Sequence, residues 1–569
     1  MPQTLQQPLP LPALEQTLDK FLTAIEPVFD AESNHKAKKI TQQFAQTHGK
    51  KLQQQLSEYA ETQAKVGKSW ISDFWLTAYL ASRQSKALVS NVGFQINYQT
   101  ESTGLTRAAE WIHRITKTHR NFIDNRIEAP TDNRGNPLSM DGWHTLKGAM
   151  RLPNKSCDDY YYSNKGMDNR HINVFWQGSH YLLPVTDSQG NVFAIEEIES
   201  ALATLSNNEN SVSLPFTAIS ALPSENAYTQ LDDLCQNAHN AEVYSALKDS
   251  LFCISLFHSG EDDITQLEQQ TFLPAHSWQY KPFTYQMDLD SDFMVVHVEH
   301  TGLDGGTLSL LLNDAFAQST EAETAANTQL TAMDWELSSE QTQAISELLK
   351  PVADNAKTFK VQQFTVDYSA INTKVSHDAL FQFSLAYAQL KVFGQLKNTY
   401  EAVDTSSYLA GRTECLRPNT PSAKLLAEKL LQNTATTKDL TNAFAEHKSW
   451  VIACKTGQGI DRHLYALQQI SQTDNEISED SVTQQFFELV NAFAGKDFLS
   501  TTTMGGQSPI RRYVFVPTSQ GGFGVNYSMD KQFYEFVLIA DDISRDKLDE
   551  MQQGITEGAE KLIAMMAEM

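Results

Sequence analysis

The stretch Phe293-Met-Val-Val-His-Val-Glu-His-Thr-Gly-Leu-Asp-Gly-Gly306 joins an apolar, β-branched run to a polar loop that contains glycines. Its first six residues predict a strand buried in a sheet. His300 follows this strand, and Asp304 comes four residues later. A histidine there can take a proton from an alcohol, and the aspartate can hold the loop by pairing with a basic residue. We therefore predict an active-site loop, with a structural histidine as the alternative.

Helical and extended patterns alternate on both sides of this loop. His171–Trp176 and Ser179–Pro184 alternate like strands around Gln177-Gly178, which predicts a hairpin. Residues 513–516 and 524–527 flank a glycine-rich turn and predict a second hairpin. The alternation predicts an α/β fold class with two α/β layers. The other predicted segments are helices at 13–22, 36–61, 378–396, 420–434, 439–445, 458–469 and 546–566, a strand at 359–366, and a polar surface excursion at 319–354.

Composition narrows the functional class. The 569 residues carry a net charge of −25, which argues against a nucleic-acid partner but leaves room for a small anion on a local basic patch. Five scattered cysteines without a CxxC pair indicate a reducing compartment and no zinc site. No secretory leader and no apolar run of transmembrane length is found, so we expect no membrane span and a cytoplasmic location.

Four further segments and the His300 loop together point to one family. They are Gly411-Arg-Thr-Glu-Cys-Leu-Arg417, Gly459-Ile-Asp-Arg-His-Leu464, Phe498-Leu-Ser-Thr-Thr502 and Gly522-Phe-Gly524. In this order they resemble the GRTExxR, DRHL, LSTS and GYG motifs of the choline/carnitine O-acyltransferases. The resemblance spans nearly the whole chain. By contrast, neither a GxGxxG nor a GxxxxGK[ST] pattern follows any predicted strand, which disfavours a nicotinamide or ATP enzyme.

This resemblance implies a CoA-dependent acyltransferase fold of two similar α/β domains with an active-site tunnel at their interface. We place the domains at residues 1–357, which carry the catalytic histidine, and 358–569. The family needs no metal or bound cofactor and uses CoA or acyl-CoA as co-substrate. In this reading His300 is the general base, Asp304 supports it, and Ser500 and Thr502 lie at the tetrahedral intermediate. Thr502 stands where the family usually has serine and keeps the hydroxyl that the oxyanion needs.

The resemblance also implies an acceptor site for carnitine. Tyr400, Thr413 and Arg462 match the family's carnitine set, and Arg462 supplies the cation that a carboxylate requires. Choline-specific members lack this arginine, so its presence favours carnitine over choline. The alternative is a structural role in which Arg462 caps a helix or pairs with Asp461. Acyl length is set in the family near the glycine-rich turn. That position is Tyr513 or, with a one-residue gap, Arg512, and either side chain is bulky enough to predict short acyl groups.

The donor side departs from the family pattern. Lys374, Ser376, Asp378 and Glu401 match donor positions, but the lysines that usually hold CoA phosphates are mostly missing. Weak CoA binding or an acyl-carrier-protein thioester are the two alternatives. A carrier protein would need a basic patch, for which the candidates are Lys391, Lys397, Arg511 and Arg512. A different zwitterionic or choline-like acceptor on the same fold, and a binding protein without turnover, are the competing functions.

Overall fold

The computed structural model describes residues 6–132, 134–207, 212, 214–273, 276–324, 326–371, 374–506 and 508–567. Two large mixed sheets with helices around them confirm the predicted α/β fold class. The boundary at residues 357 and 358 stays a prediction.

The first sheet is built mostly from the amino-terminal half of the chain. The central strands Cys253–Phe257 and Phe283–Asp288 run parallel, and the predicted hairpin at Gln177-Gly178 is confirmed at one side of the sheet. Both turn residues have positive φ, as a two-residue hairpin turn requires. In spatial order the strands are Ile510–Val514, Val92–Ile96, Met294–Val298, Phe283–Asp288, Cys253–Phe257, His171–Trp176, Ser179–Pro184 and Thr331–Ala332.

The second sheet comes entirely from the carboxy-terminal half. Its strand Leu499–Thr502 lies between two parallel neighbours, Thr399–Asp404 and Phe523–Met529. In spatial order the strands are Lys360–Asp367, Phe533–Ala540, Phe523–Met529, Leu499–Thr502, Thr399–Asp404 and Thr413–Leu416. A separate two-stranded ribbon pairs Ala149–Leu152 with Asp159–Tyr162.

The hairpin predicted across the glycine-rich turn is wrong. Strand Ile510–Val514 pairs with Val92–Ile96 in the first sheet, whereas Phe523–Met529 belongs to the second. The turn itself explains the difference, because a Cβ on Gly522 would lie 2.5 Å from the carbonyl oxygen of Phe498. This close approach directs the chain into a strand beside Leu499–Thr502 instead of back along the strand it has just left. One segment of the carboxy-terminal half thus completes the first sheet.

Helices cover both sheets and confirm most of the predicted helical segments. In the amino-terminal half they are Leu14–Ile25, Ala31–Gln46, Gly49–Lys65, Ser72–Leu80, Gly104–Ile123, Ile195–Ala203, Ser224–Leu234, Ala238–Asp249, Asp263–Phe272, Gly305–Ala317 and Ser339–Ala356. In the carboxy-terminal half they are His377–Phe393, Pro421–Leu431, Thr437–Lys455, Asp461–Ser471, Asn475–Ser478, Ser481–Ala494 and Leu548–Ala567.

The polar excursion predicted at 319–354 is largely exposed, but much of it is the helix Ser339–Ala356. A capping box between Ser338 and Gln341 starts this helix, and Ile345 anchors it in the core. The capping residues outweigh the polar composition that suggested an irregular segment. No helix among the described residues combines the length and apolarity needed to cross a bilayer.

The first three helices of the chain, Leu14–Ile25, Ala31–Gln46 and Gly49–Lys65, do not pack on the first sheet. Leu14, Phe21 and Phe44 share a core with Trp450 and Phe486 of the carboxy-terminal half. Phe44 stacks on Phe486 with ring centroids 3.9 Å apart. Burial of these apolar side chains therefore joins the first helices to the carboxy-terminal half. It also holds helix Ser72–Leu80 in place beside the functional cavity described next.

Candidate active site

A cavity of about 750 Å³ collects the residues that the sequence singled out. Strands from both sheets and the helix Ser72–Leu80 form its walls. Side chains on these walls that carry the argument below are Trp75, Tyr79, Phe94, His300, Asp304, Tyr400, Thr413, Ser500, Thr502, Tyr513 and Phe515. The predicted tunnel stays a prediction, but the cavity brings the general-base candidate His300 together with two of the acceptor candidates, Tyr400 and Thr413.

His300 lies in the loop between strand Met294–Val298 and helix Gly305–Ala317. Its Nδ1 is 3.7 Å from Oδ1 of Asp304, which leaves Nε2 for a substrate hydroxyl. Arg412 binds both oxygens of Asp304, with Nε to Oδ2 at 2.9 Å and Nη2 to Oδ1 at 3.0 Å. Arg412 also donates to the main-chain carbonyl oxygens of His300 and Thr301. A single guanidinium therefore clamps the whole loop, and it is the basic partner that Asp304 was expected to find.

The charge of Asp304 depends on this clamp. Burial alone would raise the pKa of the Asp304 carboxyl, but Arg412 outweighs burial and holds that pKa below its usual range. The aspartate therefore stays ionised beside the His300 ring, where it can stabilise the positive charge that the imidazole acquires on taking a proton.

A buried network of ion pairs supports the start of the same loop. Arg151 contacts Oε1 of Glu299 at 3.4 Å and donates from Nε to Asp158 Oδ2 at 2.8 Å. The ammonium of Lys86 lies 4.0 Å from Asp158, and burial, reinforced by Arg151, lowers the pKa of Lys86 to about 7. Because Glu299 immediately precedes His300, this network fixes the point at which the strand becomes the loop.

Side chains of strand Leu499–Thr502 point alternately in opposite directions. Ser500, Thr501 and Thr502 all border the cavity, but the Thr501 hydroxyl is engaged by the neighbouring strand and donates to the Tyr400 carbonyl oxygen at 2.8 Å. This alternation follows from the period of two along a strand. Thr502 Oγ1 accepts a hydrogen bond from the Tyr513 hydroxyl at 3.1 Å. Thr502 therefore lies in the cavity wall with its own proton free to be donated.

The three acceptor candidates meet at one point. Arg462 Nη2 donates to the Tyr400 hydroxyl at 3.2 Å and contacts Thr413 Oγ1 at 3.5 Å, while its Nε donates to the Thr413 carbonyl oxygen at 3.0 Å. The alternative pairing with Asp461 is not found, because the Asp461 carboxylate is taken by Arg417. Within the described residues no carboxylate forms an ion pair with the Arg462 guanidinium. A half-buried cation thus lies directly behind the cavity-lining Tyr400 and Thr413, with only neutral hydrogen-bond partners.

Glu414 is close to this cation but turned toward the backbone. Its Oε1 accepts the main-chain N–H groups of Cys415 at 2.8 Å and of Arg462 at 3.3 Å. Burial raises the pKa of Glu414 to about 7, although Arg462 opposes the shift. Gly459 makes room for it, since a Cβ there would lie 2.3 Å from the Glu414 Cγ. Around neutral pH, Glu414 is therefore poised between its neutral and its charged form.

Sequence reasoning missed two aromatic residues of this site. Trp75 lies under the Arg462 guanidinium, 4.2 Å from ring centroid to Cζ, and 5.0 Å from that of Arg412. Tyr79 packs against His300 with ring centroids 5.8 Å apart. Trp75 also belongs to the apolar core shared with the carboxy-terminal half, so one ring packs in the core and lines the cavity. Helical spacing from Trp75 to Tyr79 was the available signal, since it puts both rings on one face.

The strand register separates the two acyl-length candidates. Tyr513 faces the cavity and packs on Phe94 with ring centroids 5.0 Å apart. Arg512 points the other way and binds Glu535 with two hydrogen bonds of 2.9 and 3.0 Å. The position that can restrict an acyl chain is therefore Tyr513.

The donor candidates form a separate cluster. Lys374, Ser376, Asp378 and Glu401 are absent from the described residues that line the cavity. Ser376 caps helix His377–Phe393, and Lys374 is exposed. The carboxyl groups of Asp378 and Glu401 share the Tyr527 hydroxyl, which lies 3.0 Å and 2.6 Å away respectively.

The two carboxyl groups of this cluster have pKa values shifted in opposite directions. Burial and the facing Asp378 carboxylate raise the pKa of Glu401 well above its usual range. Burial would also raise the pKa of Asp378, but the hydrogen bond from His447 at 3.1 Å lowers it overall. Of the four basic side chains suggested for a carrier protein, Lys391, Arg511 and Arg512 are paired with carboxylates. Lys397 instead lies over the rings of Phe393 and Phe498.

No group of three or more potential metal ligands occurs in the part of the chain that the structure describes. The five cysteines, all within that part, are free thiols. The arrangement therefore brings an imidazole and a threonine hydroxyl to one cavity, with the Arg462 guanidinium directly behind two of the residues that line it.

Comparisons with known proteins find relatives that match most of the chain. The chain is 25% identical to the mitochondrial carnitine O-palmitoyltransferase 2 of Bos taurus over 586 residues, covering 92% of this chain and 86% of that protein. It is 23% identical to a carnitine O-acetyltransferase of Columba livia, covering 94% and 88%. A solved trichothecene 15-O-acetyltransferase of Fusarium sporotrichioides is similar at 9% identity and a TM-score of 0.43, covering 86% and 93%.

The family assignment rests on the match over the full length. The family described as Choline/Carnitine o-acyltransferase matches residues 9–557, which include the two sheets and the cavity. The motifs of the His300 loop and of the acceptor site lie within this range, in the order that the resemblance requires. The chain therefore belongs to the choline/carnitine O-acyltransferase family and is an acyltransferase with acyl-CoA as its co-substrate.

Proposed function

We propose that this chain transfers a short acyl group reversibly between CoA and the hydroxyl of L-carnitine. The observation that supports carnitine is the Arg462 guanidinium, which contacts the cavity-lining side chains of Tyr400 and Thr413 and has no carboxylate partner among the described residues. A buried or half-buried cation is costly unless a ligand compensates it. The carboxylate of carnitine can supply that charge, with the hydroxyls of Tyr400 and Thr413 as further hydrogen-bond partners. Choline carries no such group.

The proposed reaction needs no covalent enzyme intermediate. Nε2 of His300 takes the proton of the carnitine hydroxyl, whose oxygen attacks the thioester carbonyl carbon. The carbonyl oxygen becomes an oxyanion, to which the Thr502 hydroxyl donates. When the intermediate collapses, the carbon–sulfur bond breaks and the CoA sulfur receives the proton from His300. Asp304 stabilises the imidazolium between the two proton transfers, and Arg412 keeps both residues in place.

Tyr513 supports the preference for short acyl groups. Its ring packs against Phe94 and lies near Phe515 in the cavity wall, so its bulk would obstruct a long chain at this point. The names of the relatives include both palmitoyl- and acetyltransferases, so they do not choose between chain lengths.

The free thiols suit a reducing compartment, and we propose a cytoplasmic location on that ground.

A thiol-release assay tests the proposal. Purified protein is given acetyl-CoA with L-carnitine, with choline or without an acceptor. We expect release that requires carnitine, and a loss of about 10³-fold in kcat in His300→Ala, as removal of a general base typically costs. Release with choline alone would contradict the carnitine assignment. No release from acetyl-CoA, but release from an acetylated acyl carrier protein, would move the donor to a carrier protein.

A chain-length series tests the part played by Tyr513. Tyr513→Gly is expected to raise the octanoyl-to-acetyl ratio of kcat/KM by at least about tenfold, because each buried methylene contributes about 0.8 kcal/mol. Arg512→Gly is the matched control, since its side chain lies on the opposite face of the same strand. An unchanged profile in Tyr513→Gly, or an equal change in both variants, would contradict the role of Tyr513.

A further inference from the structure

The Tyr513 side chain makes a second contact. A residue that only blocked long acyl chains would not need it. Its hydroxyl lies 3.1 Å from Thr502 Oγ1, within the wall of the reaction cavity. Among the described residues this is the hydrogen bond found at the Thr502 hydroxyl. A hydroxyl carries one proton and two lone pairs, so its direction depends on what donates to it.

The phenol is the donor in this pair. A phenol is more acidic than an aliphatic alcohol and is the better hydrogen-bond donor. Burial raises the pKa of the Tyr513 phenol, with its contacts to Thr502 and Asn526 opposing the shift, so it keeps its proton. When the Thr502 oxygen accepts this proton, the threonine's own proton must point elsewhere. The open side of Thr502 is the cavity.

Both partners of the bond are held rigidly. The ring of Tyr513 is 3% exposed and packs on Phe94. The Tyr513 main-chain N–H donates to Asn526 Oδ1 at 3.0 Å, and Asn526 is the register partner of Thr502 in the second sheet. Asn526 Nδ2 in turn lies 3.5 Å from the Thr502 carbonyl oxygen. One asparagine thus links the strand of Tyr513 in the first sheet to the strand of Thr502 in the second.

We infer that Tyr513 is a positioning residue that aims the Thr502 hydroxyl at the developing oxyanion. The inference rests on the proposed role of Thr502. It separates two properties of one side chain: the bulk of the ring restricts the acyl chain, whereas the hydroxyl orders the oxyanion donor. The phenylalanine variant keeps the first property and loses the second.

A double-mutant cycle tests the inference. Tyr513→Phe, Thr502→Ala and the double variant are compared with the wild type for kcat and both KM values with acetyl-CoA and L-carnitine. We expect Tyr513→Phe to lower kcat by about five- to tenfold, the effect of one neutral hydrogen bond, with both KM values and the acyl-length profile unchanged. Thr502→Ala should lower kcat by about 100-fold or more. In that background, Tyr513→Phe should have no further effect.

Control variants distinguish positioning from loss of packing. Thr502→Ser keeps a hydroxyl and should stay sensitive to Tyr513→Phe. Tyr387→Phe loses a hydroxyl that bonds Glu557 away from the cavity and should leave kcat unchanged. An undiminished kcat in Tyr513→Phe would overturn the inference. So would an equal loss with and without the Thr502 hydroxyl, since Tyr513 would then act independently of Thr502.

The same cycle is run on the slow hydrolysis of acetyl-CoA without an acceptor, which passes through the same oxyanion. If wild-type protein ignores carnitine but hydrolysis shows the coupling, the carnitine proposal fails and the positioning role stands. If transfer to carnitine proceeds without coupling between Tyr513 and Thr502, the carnitine proposal stands and the positioning role fails. A wild type that neither transfers nor hydrolyses the acetyl group would overturn both.

Discussion

The proposed acceptor side and the proposed donor side of this acyltransferase are built in opposite ways. At the proposed acceptor side, Arg462 contacts the cavity-lining Tyr400 and Thr413 and has neutral hydrogen-bond partners only, so its charge is available to a ligand. At the donor side, Asp378 and Glu401 satisfy each other through Tyr527 and His447, away from the cavity. Lys374, the one cation matched to a donor position, is exposed.

This difference indicates where binding free energy is available before any substrate arrives. A preformed, half-buried cation can contribute several kcal/mol to an anionic ligand because it is already desolvated and oriented. An exposed lysine on a flexible stem contributes less than about 1 kcal/mol in the same role. We therefore expect substitutions on the acceptor side to have large, ligand-specific effects, and those on the donor side to have small ones.

The largest effect is expected for the clamp on the His300 loop. Arg412→Met leaves the Asp304 carboxylate without its bidentate partner, which should lower the free energy of unfolding by about 3 kcal/mol or more and kcat by at least about 100-fold. Urea unfolding and the thiol-release assay measure the two quantities. Arg126→Met, which breaks an exposed pair with Asp124, serves as control. If both variants behave alike, Asp304 does not depend on Arg412.

The next effect separates the two substrates. Arg462→Asn removes the cation that we assign to the carnitine carboxylate and should raise the KM for carnitine by about 100-fold. The KM for acetyl-CoA should change by less than about twofold, because the guanidinium has no assigned contact with the donor. Steady-state kinetics with each substrate varied in turn give both values. Equal increases in the two constants would mean that Arg462 holds the fold rather than the acceptor.

We expect the free energy of unfolding to depend on pH through Glu414, which lies close to Arg462. The Glu414 pKa of about 7 lies above its value in the unfolded chain, so folding takes up a proton between about pH 4.5 and 7. Stability contributed by this carboxyl is thus complete below about pH 4.5 and is lost as the pH rises through 7. Glu414→Gln cannot ionise and should gain about 2 kcal/mol relative to wild type between pH 5 and pH 8.

Urea unfolding at the two pH values measures this gain for Glu414→Gln, with the exposed Glu488→Gln as matched control. A difference from wild type that is the same at pH 5 and pH 8 would show that Glu414 does not change its charge in this range. The comparison also bears on the acceptor site, because ionised Glu414 competes with a ligand carboxylate for the field of Arg462.

The residues that sequence motifs could place are those whose neighbours lie at short, regular spacing. The α/β fold class and the buried strand before the His300 loop follow from the periods of strand and helix, whereas Ser500 and Thr502 were assigned through the resemblance to the family. Arg412 was within reach too, since Asp304 called for a basic partner and the GRT segment contains one. Its contact joins residues 108 positions apart, so the motif supplied the residue but not the pairing.

Other features depend on tertiary packing that local patterns do not contain. The turn at Gly522 resembles a hairpin, yet the close approach of Phe498 sends the two strands to different sheets. Trp75 is part of the core that the first helices form with the carboxy-terminal half, and only this packing brings it under Arg462. Likewise, the choice between Arg512 and Tyr513 required the pairing of their strand with Val92–Ile96.

The smallest effect is expected on the donor side and sharpens the contrast most. Lys374→Ala should raise the KM for acetyl-CoA by about two- to fivefold, because an exposed ammonium is screened by water and salt. The change should shrink further at about 0.5 M salt, leave the KM for carnitine unaltered and be absent in Lys357→Ala, an exposed lysine on another surface. An increase of about 100-fold that persists in salt would require Lys374 to become buried against a phosphate when CoA binds. The two sides would then differ in when they are organised, the acceptor side before binding and the donor side during it.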